Sequence, residues 1–185
     1  MIITTADGSD LGVHIRPTTG IDDMAAVIRI HGRAWKAAHR KVLPPAVLEQ
    51  TTVDADRGLC QAWLANIDDE TDRFFVAMDE DEQVLGYLHL RLGEASEASI
   101  VDIAVDPDHW RDGIGTALFE RAYDELPART ESMLVEMIAG NGVARLFYEH
   151  LGFERTGYRP TTIDGELYPV ACYRMECISN HSMSC

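Results

Sequence analysis

The sequence predicts an α/β domain in which helices flank a mixed, mostly antiparallel central sheet. Three observations carry that reading. Two apolar runs, Phe74-Phe75-Val76-Ala77-Met78 and Val84-Leu85-Gly86-Tyr87-Leu88-His89-Leu90, enclose the acidic turn Asp79-Glu80-Asp81-Glu82, which is the pattern of an antiparallel hairpin. The apolar run 100–105 leads through glycines into residues at helical spacing. Further on, an apolar run at 133–138 is followed by a helical pattern at 142–150, so hairpins and strand–helix crossovers occur in one chain.

In chain order, Val13-His14-Ile15-Arg16 alternates apolar and polar residues and stops at Pro17, a short strand. A helix follows Gly20. Asp22 and Asp23 set carboxylates against the positive end of its macrodipole, and Met24, Val27, Ile28 and Trp35 recur at helical spacing. Pro44-Pro45 interrupts this region, and short helical segments are expected over 46–50 and 57–67, where Leu59, Trp63 and Ile67 sit four apart. After the hairpin, residues 94–99 connect to the strand 100–105, which Asp106-Pro107 ends. Gly113-Ile114-Gly115 opens a helix with the apolar face Ile114, Ala117, Leu118, Ala122 and Leu126, closed by Pro127. A strand at 133–138, a helix at 142–150, a late hairpin at 158–170 and a final strand at 167–175 complete the order β-α-α-β-β-β-α-β-α-β-β. Residues 1–185 are expected to form one domain, with 1–12 and 178–185 as loose ends.

Composition narrows the function classes. The chain carries 31 Asp plus Glu against 16 Lys plus Arg, a formal charge of −15, with 46% hydrophobic residues. That hydrophobic content excludes a disordered linker, and so acidic a chain offers no basic patch for nucleic acid or an anionic membrane. A small polyanion held in a local pocket stays possible. The first ten residues lack the basic and apolar regions of a secretory signal, and no apolar run approaches the ~20 residues of a membrane span. Cytoplasmic location is therefore expected. Cys60, Cys172, Cys177 and Cys185 form no Cys-x-x-Cys pair and the seven histidines are scattered, so neither a disulfide framework nor a metal site is expected.

The glycine turn carries the chemistry. In Val105-Asp106-Pro107-Asp108-His109-Trp110-Arg111-Asp112-Gly113-Ile114-Gly115-Thr116 a strand hands over to a helix. Backbone amides from Arg111 to Thr116 can converge on an anion there, because glycine allows close approach and first-turn N–H groups lack intrahelical partners. No Gly-Lys-Ser/Thr follows, which excludes a Walker A loop, and the spacing is not Gly-x-Gly-x-x-Gly. The window Trp110-Arg111-Asp112-Gly113-Ile114-Gly115 resembles the acetyl-CoA motif of the GNAT superfamily of N-acetyltransferases, Gln/Arg-x-x-Gly-x-Gly/Ala. Downstream, the run Asn141 to Phe153 is similar to the same family's Asn-x-x-Ala-x-x-Phe-Tyr-x-x-x-Gly-Phe. The resemblance runs over about 13–175 and is weakest before Arg73. Trp110 departs from it, standing where the family has Gln or Arg, with Arg111 next to it.

That resemblance implies a GNAT-like fold and an acetyl-CoA-dependent transfer of an acetyl group to a primary amine of a small molecule or a protein N-terminus. It implies that Ile103, Ala104 and Val105 offer backbone groups to the pantetheine arm and carbonyl, and that Arg111, Asp112, Gly113, Ile114, Gly115 and Thr116 hold the pyrophosphate. Asn141 resembles a cofactor-contacting residue and Tyr148 the proton donor to the leaving sulfur. A phenol with an ordinary pKa of ~10 suits a thiolate whose conjugate acid lies near ~8.5. The residues alone also allow Tyr148 simply to pack with Ala144 and Leu151 on one helix face. The base is open. Glu136, the single charge on an apolar strand, is placed like a proposed base in some members, yet it can equally face water or a partner. Asp102 is a second candidate, His89 and His31 are weaker ones, and a water chain can replace them all. A homodimer is the family's common habit. The same cradle admits a second class, a non-catalytic acyl-CoA-binding regulatory protein.

A charge of −15 opposes the approach of a polyanionic cosubstrate. Acidic surfaces on which arginine replaces lysine, here fourteen to two, resemble those of salt-loving archaea. Molar salt would screen the repulsion, since the Debye length falls to ~3 Å at 1 M, and a halophilic protein is expected.

Overall fold

The computed structural model describes residues 2–4, 10–51, 54–94 and 96–177. Its strands are β1 (Ile2–Thr4), β2 (Asp10–Pro17), β3 (Asp72–Met78), β4 (Val84–Leu92), β5 (Glu97–Val105), β6 (Ser132–Ile138), β7 (Glu154–Ile163) and β8 (Glu166–Glu176). The helices are α1 (Ile21–His39), α2 (Pro45–Gln50), α3 (Arg57–Leu64), α4 (Ile114–Asp124) and α5 (Gly142–His150). One sheet takes the order β1-β2-β3-β4-β5-β6-β8-β7. Only β5 and β6 run parallel among these neighbours.

The mixed sheet and its hairpins agree with the sequence reading, with three differences. Residues 2–4 and 10–12, expected to be loose, are strand, and β1 pairs antiparallel with β2. A three-residue strand carries no period that sequence can display. The helical segments expected at 46–50 and 57–67 are both present, as α2 and α3, so the region between β2 and β3 holds three helices where the summary order counts two. The third, capped by the Asp56 carboxylate accepting from Leu59 N–H at 2.8 Å, ends at Leu64 rather than Ile67. Glu97, Ala98 and Ser99, expected in a connection, begin β5, where they pair with Ser132, Met133 and Leu134. The expectation of loose residues at 178–185 lies outside the described residues.

Alternation on β3 explains its near-continuous apolar sequence. Phe75 and Ala77 enter a core with Leu118, Phe119 and Ala122 of α4, while Phe74, Val76 and Met78 enter another with Met24, Val27, Ile28 and Ile30 of α1. Each such buried side chain stabilises the fold by about 1.5–3 kcal/mol. Helices α4 and α5 thus cover one face of the sheet, and α1 and α3 the other. A smaller cluster of Leu43, Val47 and Ile138, with Trp35 and Tyr168 against it, docks α2 near the end of β6.

One irregularity positions the site. Along β4 and β5 the register runs Gly86↔Val105, Tyr87↔Ala104, Leu88↔Ile103 and His89↔Asp102, then skips to Leu90↔Ile100. Val101 is therefore an extra residue, a bulge, and bulges bend the strand that carries them. Pairing between β5 and β6 ends at the same level, with Ile100↔Val135 as its last pair. Beyond it the two parallel strands separate into a wedge. One edge of residues 101–105 stays on β4, and the other has no strand partner among the described residues.

Candidate active site

The wedge exposes backbone groups that a sheet would normally consume. Ile103 and Val105 lean on the core beneath α4, Ala104 on the core beneath α1, and among the described residues all three have β4 as their only strand neighbour. An extended ligand arm inserted between β5 and β6 would find the peptide groups of Ile103 and the Val105 N–H. Ala104 turns its carbonyl to β4 and the Val105 carbonyl is taken by the Trp110 indole, so of the three residues expected to offer backbone groups Ala104 offers none.

At the end of β5 the chain turns through Pro107–His109 and enters α4 at Gly113, whose φ of 87° is left-handed. Arg111 is also left-handed, at φ 78°, a conformation a non-glycine residue rarely holds unless its surroundings impose it. Two contacts do so. Trp110, the departure from the family pattern, donates its indole Nε1–H to the Val105 carbonyl at 2.8 Å and folds the turn back onto the strand. Arg33 of α1 grips the other side, donating to Asp106 at 2.5 Å and to Asp108 at 2.8 Å. The first intrahelical bond runs from Ala117 N–H to the Gly113 carbonyl, and no side chain caps the helix. The amides of Ile114, Gly115 and Thr116 are thus left for an anion, at the positive end of the α4 dipole. Arg111 is exposed and makes no ion pair with a described residue. Asp112 is drawn outward, 3.5 Å from His109 Nδ1. Gly115 has a second function: a Cβ there would lie 3.2 Å from the Phe147 ring, so the glycine lets α4 and α5 close on each other.

Helix α5 delivers Tyr148. Its ring is 5% exposed, set edge-on to Phe147 and Phe153. Among the described residues its hydroxyl has no hydrogen-bond partner, and the charge of Asp102 on β5 acts on it. Burial, and then the charge of Asp102, push its pKa well above the ordinary value of 10.0. The O–H therefore stays intact at neutral pH and can donate to a developing thiolate. Asn141 caps α5, accepting from Ala144 N–H at 3.1 Å, and its amide lies 3.3 Å from His39 Nε2 on α1. Both of its polar ends have protein partners, so any contact to a cosubstrate shares them.

The opposite face of the wedge is polar. On β6, Val135 and Met137 point to the α4–α5 core, which sends Glu136 to the α1 face. There Arg159 of β7 holds it through both carboxylate oxygens, one at 2.7 Å, and Cys172 Sγ lies 3.7 Å away. The guanidinium hydrogen bond lowers the Glu136 pKa, burial opposing. A carboxylate so engaged is a weak proton acceptor. Asp102 has other company: Tyr87 donates to its Oδ2 at 2.5 Å, and His31 Nδ1 lies 2.9 Å from that oxygen and 2.8 Å from the Tyr87 hydroxyl. Burial first, then Asp102, raise the Tyr87 pKa well above 10.0. His89 faces Asp102 across the strands, but its ring packs on Phe74 and its Nε2 lies 3.2 Å from Asp72, which places it in the core. His31, Trp35 and His39 recur every fourth residue on α1 and form one wall. Trp35 lies between the two imidazoles, and Trp63 of α3 stands edge-on to His31. Burial lowers the pKa of His39, keeping it neutral.

Sequence reasoning singled out the cradle, Tyr148 and both carboxylates, and the wedge gathers them. It missed Tyr87, Arg33, Arg159 and Trp63. The four-residue spacing of His31, Trp35 and His39 was the one available signal for the α1 wall.

Comparison with known proteins follows the same lines. The model of the acetyltransferase (GNAT) family matches residues 35–153. The ribosomal protein bS18-alanine N-acetyltransferase of Escherichia coli strain K12 is 46% identical over 71 residues, 36% of this chain and 48% of that protein. The mycothiol acetyltransferase of Beutenbergia cavernae is 37% identical over 76 residues, covering 40% of this chain and 26% of its own length. The matched stretch thus spans about half, or less, of these curated relatives. The crystal structure of the ribosomal-protein-S18-alanine N-acetyltransferase from Escherichia coli superposes with a TM-score of 0.65 at 22% identity, covering 94% of this chain and 99% of that one. That of the PaiA N-acetyltransferase from Thermoplasma acidophilum in complex with coenzyme A gives 0.62 at 17% identity, covering 89% and 98%. At these identities the superpositions speak for the fold.

Proposed function

The chain belongs to the acetyltransferase (GNAT) family, and from that premise we propose that residues 1–185 act as one domain that moves the acetyl group of acetyl-CoA to a primary amine of a small molecule or a protein N-terminus. The observation that carries the reading is the arrangement of the wedge: uncapped α4 amides just after Arg111, β5 backbone that β6 no longer pairs, and Tyr148 buried in the core that Ile103, Val105, Val135 and Met137 share. The pyrophosphate sits on the amides of residues 111–116, and the pantetheine arm follows Ile103 and the Val105 N–H. The amine approaches from the α1 face. Its lone pair attacks the thioester carbonyl, the C–S bond breaks, and Tyr148 donates a hydrogen bond to the departing sulfur. Asn141 orients α5 and touches the cosubstrate through its remaining hydrogen-bonding capacity.

Each relative reported above is named as an acetyltransferase, and none as a regulator. Among the described residues no helix is long and apolar enough to cross a membrane, and Cys60, Cys172 and Cys177 are free thiols, which supports a reducing, cytoplasmic setting. Thiol release from acetyl-CoA in the presence of an amine panel tests the function. Saturable, amine-dependent release is expected; its absence across primary amines and N-terminal peptides would refute it.

A further inference from the structure

Resting on the acetyltransfer reading, we infer that His31 is the group that takes the proton from the acceptor amine, with Asp102 and Tyr87 as its positioning residues, and that Glu136 is not the base.

The hydrogen-bond pattern decides the tautomer. Asp102 is an acceptor when ionised, and its Oδ2 already receives the Tyr87 hydroxyl at 2.5 Å. The single Tyr87 proton is spent there, so the phenol oxygen is also an acceptor toward His31. Nδ1 of His31, 2.9 Å from Asp102 Oδ2 and 2.8 Å from Tyr87 Oη, must carry the hydrogen. Neutral His31 then presents its lone pair on Nε2, which makes no hydrogen bond to a described residue. A carboxylate that fixes Nδ1–H and leaves Nε2 basic is the arrangement a general base needs.

Accessibility and placement agree. The His31 and Asp102 side chains are 28% and 34% exposed, open enough for an amine to reach, whereas Tyr87 is fully buried beneath them. The cluster lies on the α1 face of the wedge, where the amine arrives, and the charge of Asp102 is felt by Tyr148 on the other side. Glu136 lies on the same face but is tied to Arg159. The titratable groups facing His31 are Asp102 of β5 and Tyr87 of β4, with His39 on its own helix; Tyr148 of α5 acts on the Tyr87–Asp102 pair beneath it, and His89 of β4 is turned to Asp72. From α3, Trp63 contributes a ring without charge.

The step balances. As the amine nitrogen bonds to the acetyl carbon and the C–S bond breaks, one N–H proton passes to His31 Nε2. The sulfur leaves as a thiolate that accepts the Tyr148 O–H hydrogen bond and then takes its proton from water, so Tyr148 keeps its own. Imidazolium then releases its proton to water.

The test is the pH dependence of kcat/KM with the best amine from the panel, together with acetyl-CoA binding by calorimetry. In His31→Gln we expect kcat to fall about 10²–10³-fold, acetyl-CoA affinity to change less than twofold, and the acidic limb of the profile to vanish. Asp102→Asn and Tyr87→Phe should shift that limb while leaving binding intact, and Glu136→Gln should keep it in place. Tyr87→Phe, close to isosteric, serves where the His31 variant fails to fold. A His31→Gln enzyme that retains the limb, or a Glu136→Gln enzyme that loses it, overturns the relay alone. A wild-type protein that turns over no amine overturns the acetyltransfer reading and the relay with it.

Discussion

Adding one methyl group at Gly115 tests how the anion cradle is held against α5. Gly115 is the second residue of α4, and a Cβ there would lie 3.2 and 3.4 Å from two carbons of the Phe147 ring and 3.8 Å from Val105 Cγ2. Carbon atoms prefer about 3.5–4.0 Å, so the ring must retreat by a few tenths of an ångström. Phe147 cannot yield freely, because it is wedged beside Tyr148 with ring centroids 5.3 Å apart. Overpacking of this kind costs about 1–3 kcal/mol. Alanine in place of glycine returns at most about 1 kcal/mol of helix propensity. The steric term wins, and Gly115→Ala should lose roughly 0.5–2 kcal/mol in urea titrations, a fall in Tm of a few degrees. The same displacement tips Tyr148, so kcat should drop as well. Phe147→Leu makes room, and a double-mutant cycle should show at least about 0.5 kcal/mol of favourable coupling between the two. A Gly115→Ala protein as stable as the parent, or strict additivity in the cycle, would refute the packing argument.

Further predictions concern the hydrogen-bond donor to sulfur, a structural carboxylate and salt. Tyr148→Phe should lower kcat about 10²-fold or more with acetyl-CoA affinity preserved; an unchanged kcat in the thiol-release assay would remove Tyr148 from the chemistry. Asp72 has a fully buried side chain whose burial would raise its pKa, but Arg91 at 2.7 and 3.0 Å, the Asp68 amide and His89 outweigh that and hold it at about 2, from 3.8. Because the folded value is the lower one, the stabilisation is complete above the unfolded pKa and is lost as pH falls toward 2. It amounts to about 2 kcal/mol. Asp72→Asn should therefore cost about that much in urea unfolding at pH 7 and little at pH 2, and equal losses at both would contradict the linkage. Acetyl-CoA affinity should rise between low and molar KCl as the repulsion of the acidic surface is screened; calorimetry giving a falling curve would mean that cradle ion pairing dominates instead.

Much of this architecture is legible locally, and the rest is not for identifiable reasons. The β3–β4 hairpin, the α4 turn and α5 carry their periods and stop signals within a dozen residues, so pattern reading finds them. The Glu97–Ser99 stretch does not look like strand because its polar residues face out, Glu97 reaching Arg174 on β8. Trp110 reads as a flaw in a motif until the fold brings its indole to the Val105 carbonyl. Glu136 stays open in the sequence between a base and a paired carboxylate, because its partner Arg159 lies 23 residues away. The His31–Tyr87–Asp102 cluster joins three elements 56 and 71 residues apart in the chain, a juxtaposition no spacing rule contains.

The central claim is that the wedge between β5 and β6 brings acetyl-CoA and an amine together. The most direct measurement is steady-state thiol release from acetyl-CoA by the purified chain, with and without amine, beside calorimetric titration of acetyl-CoA. Saturable binding with amine-dependent release is the predicted result. Absence of saturable acetyl-CoA binding at both low and molar KCl would contradict the account.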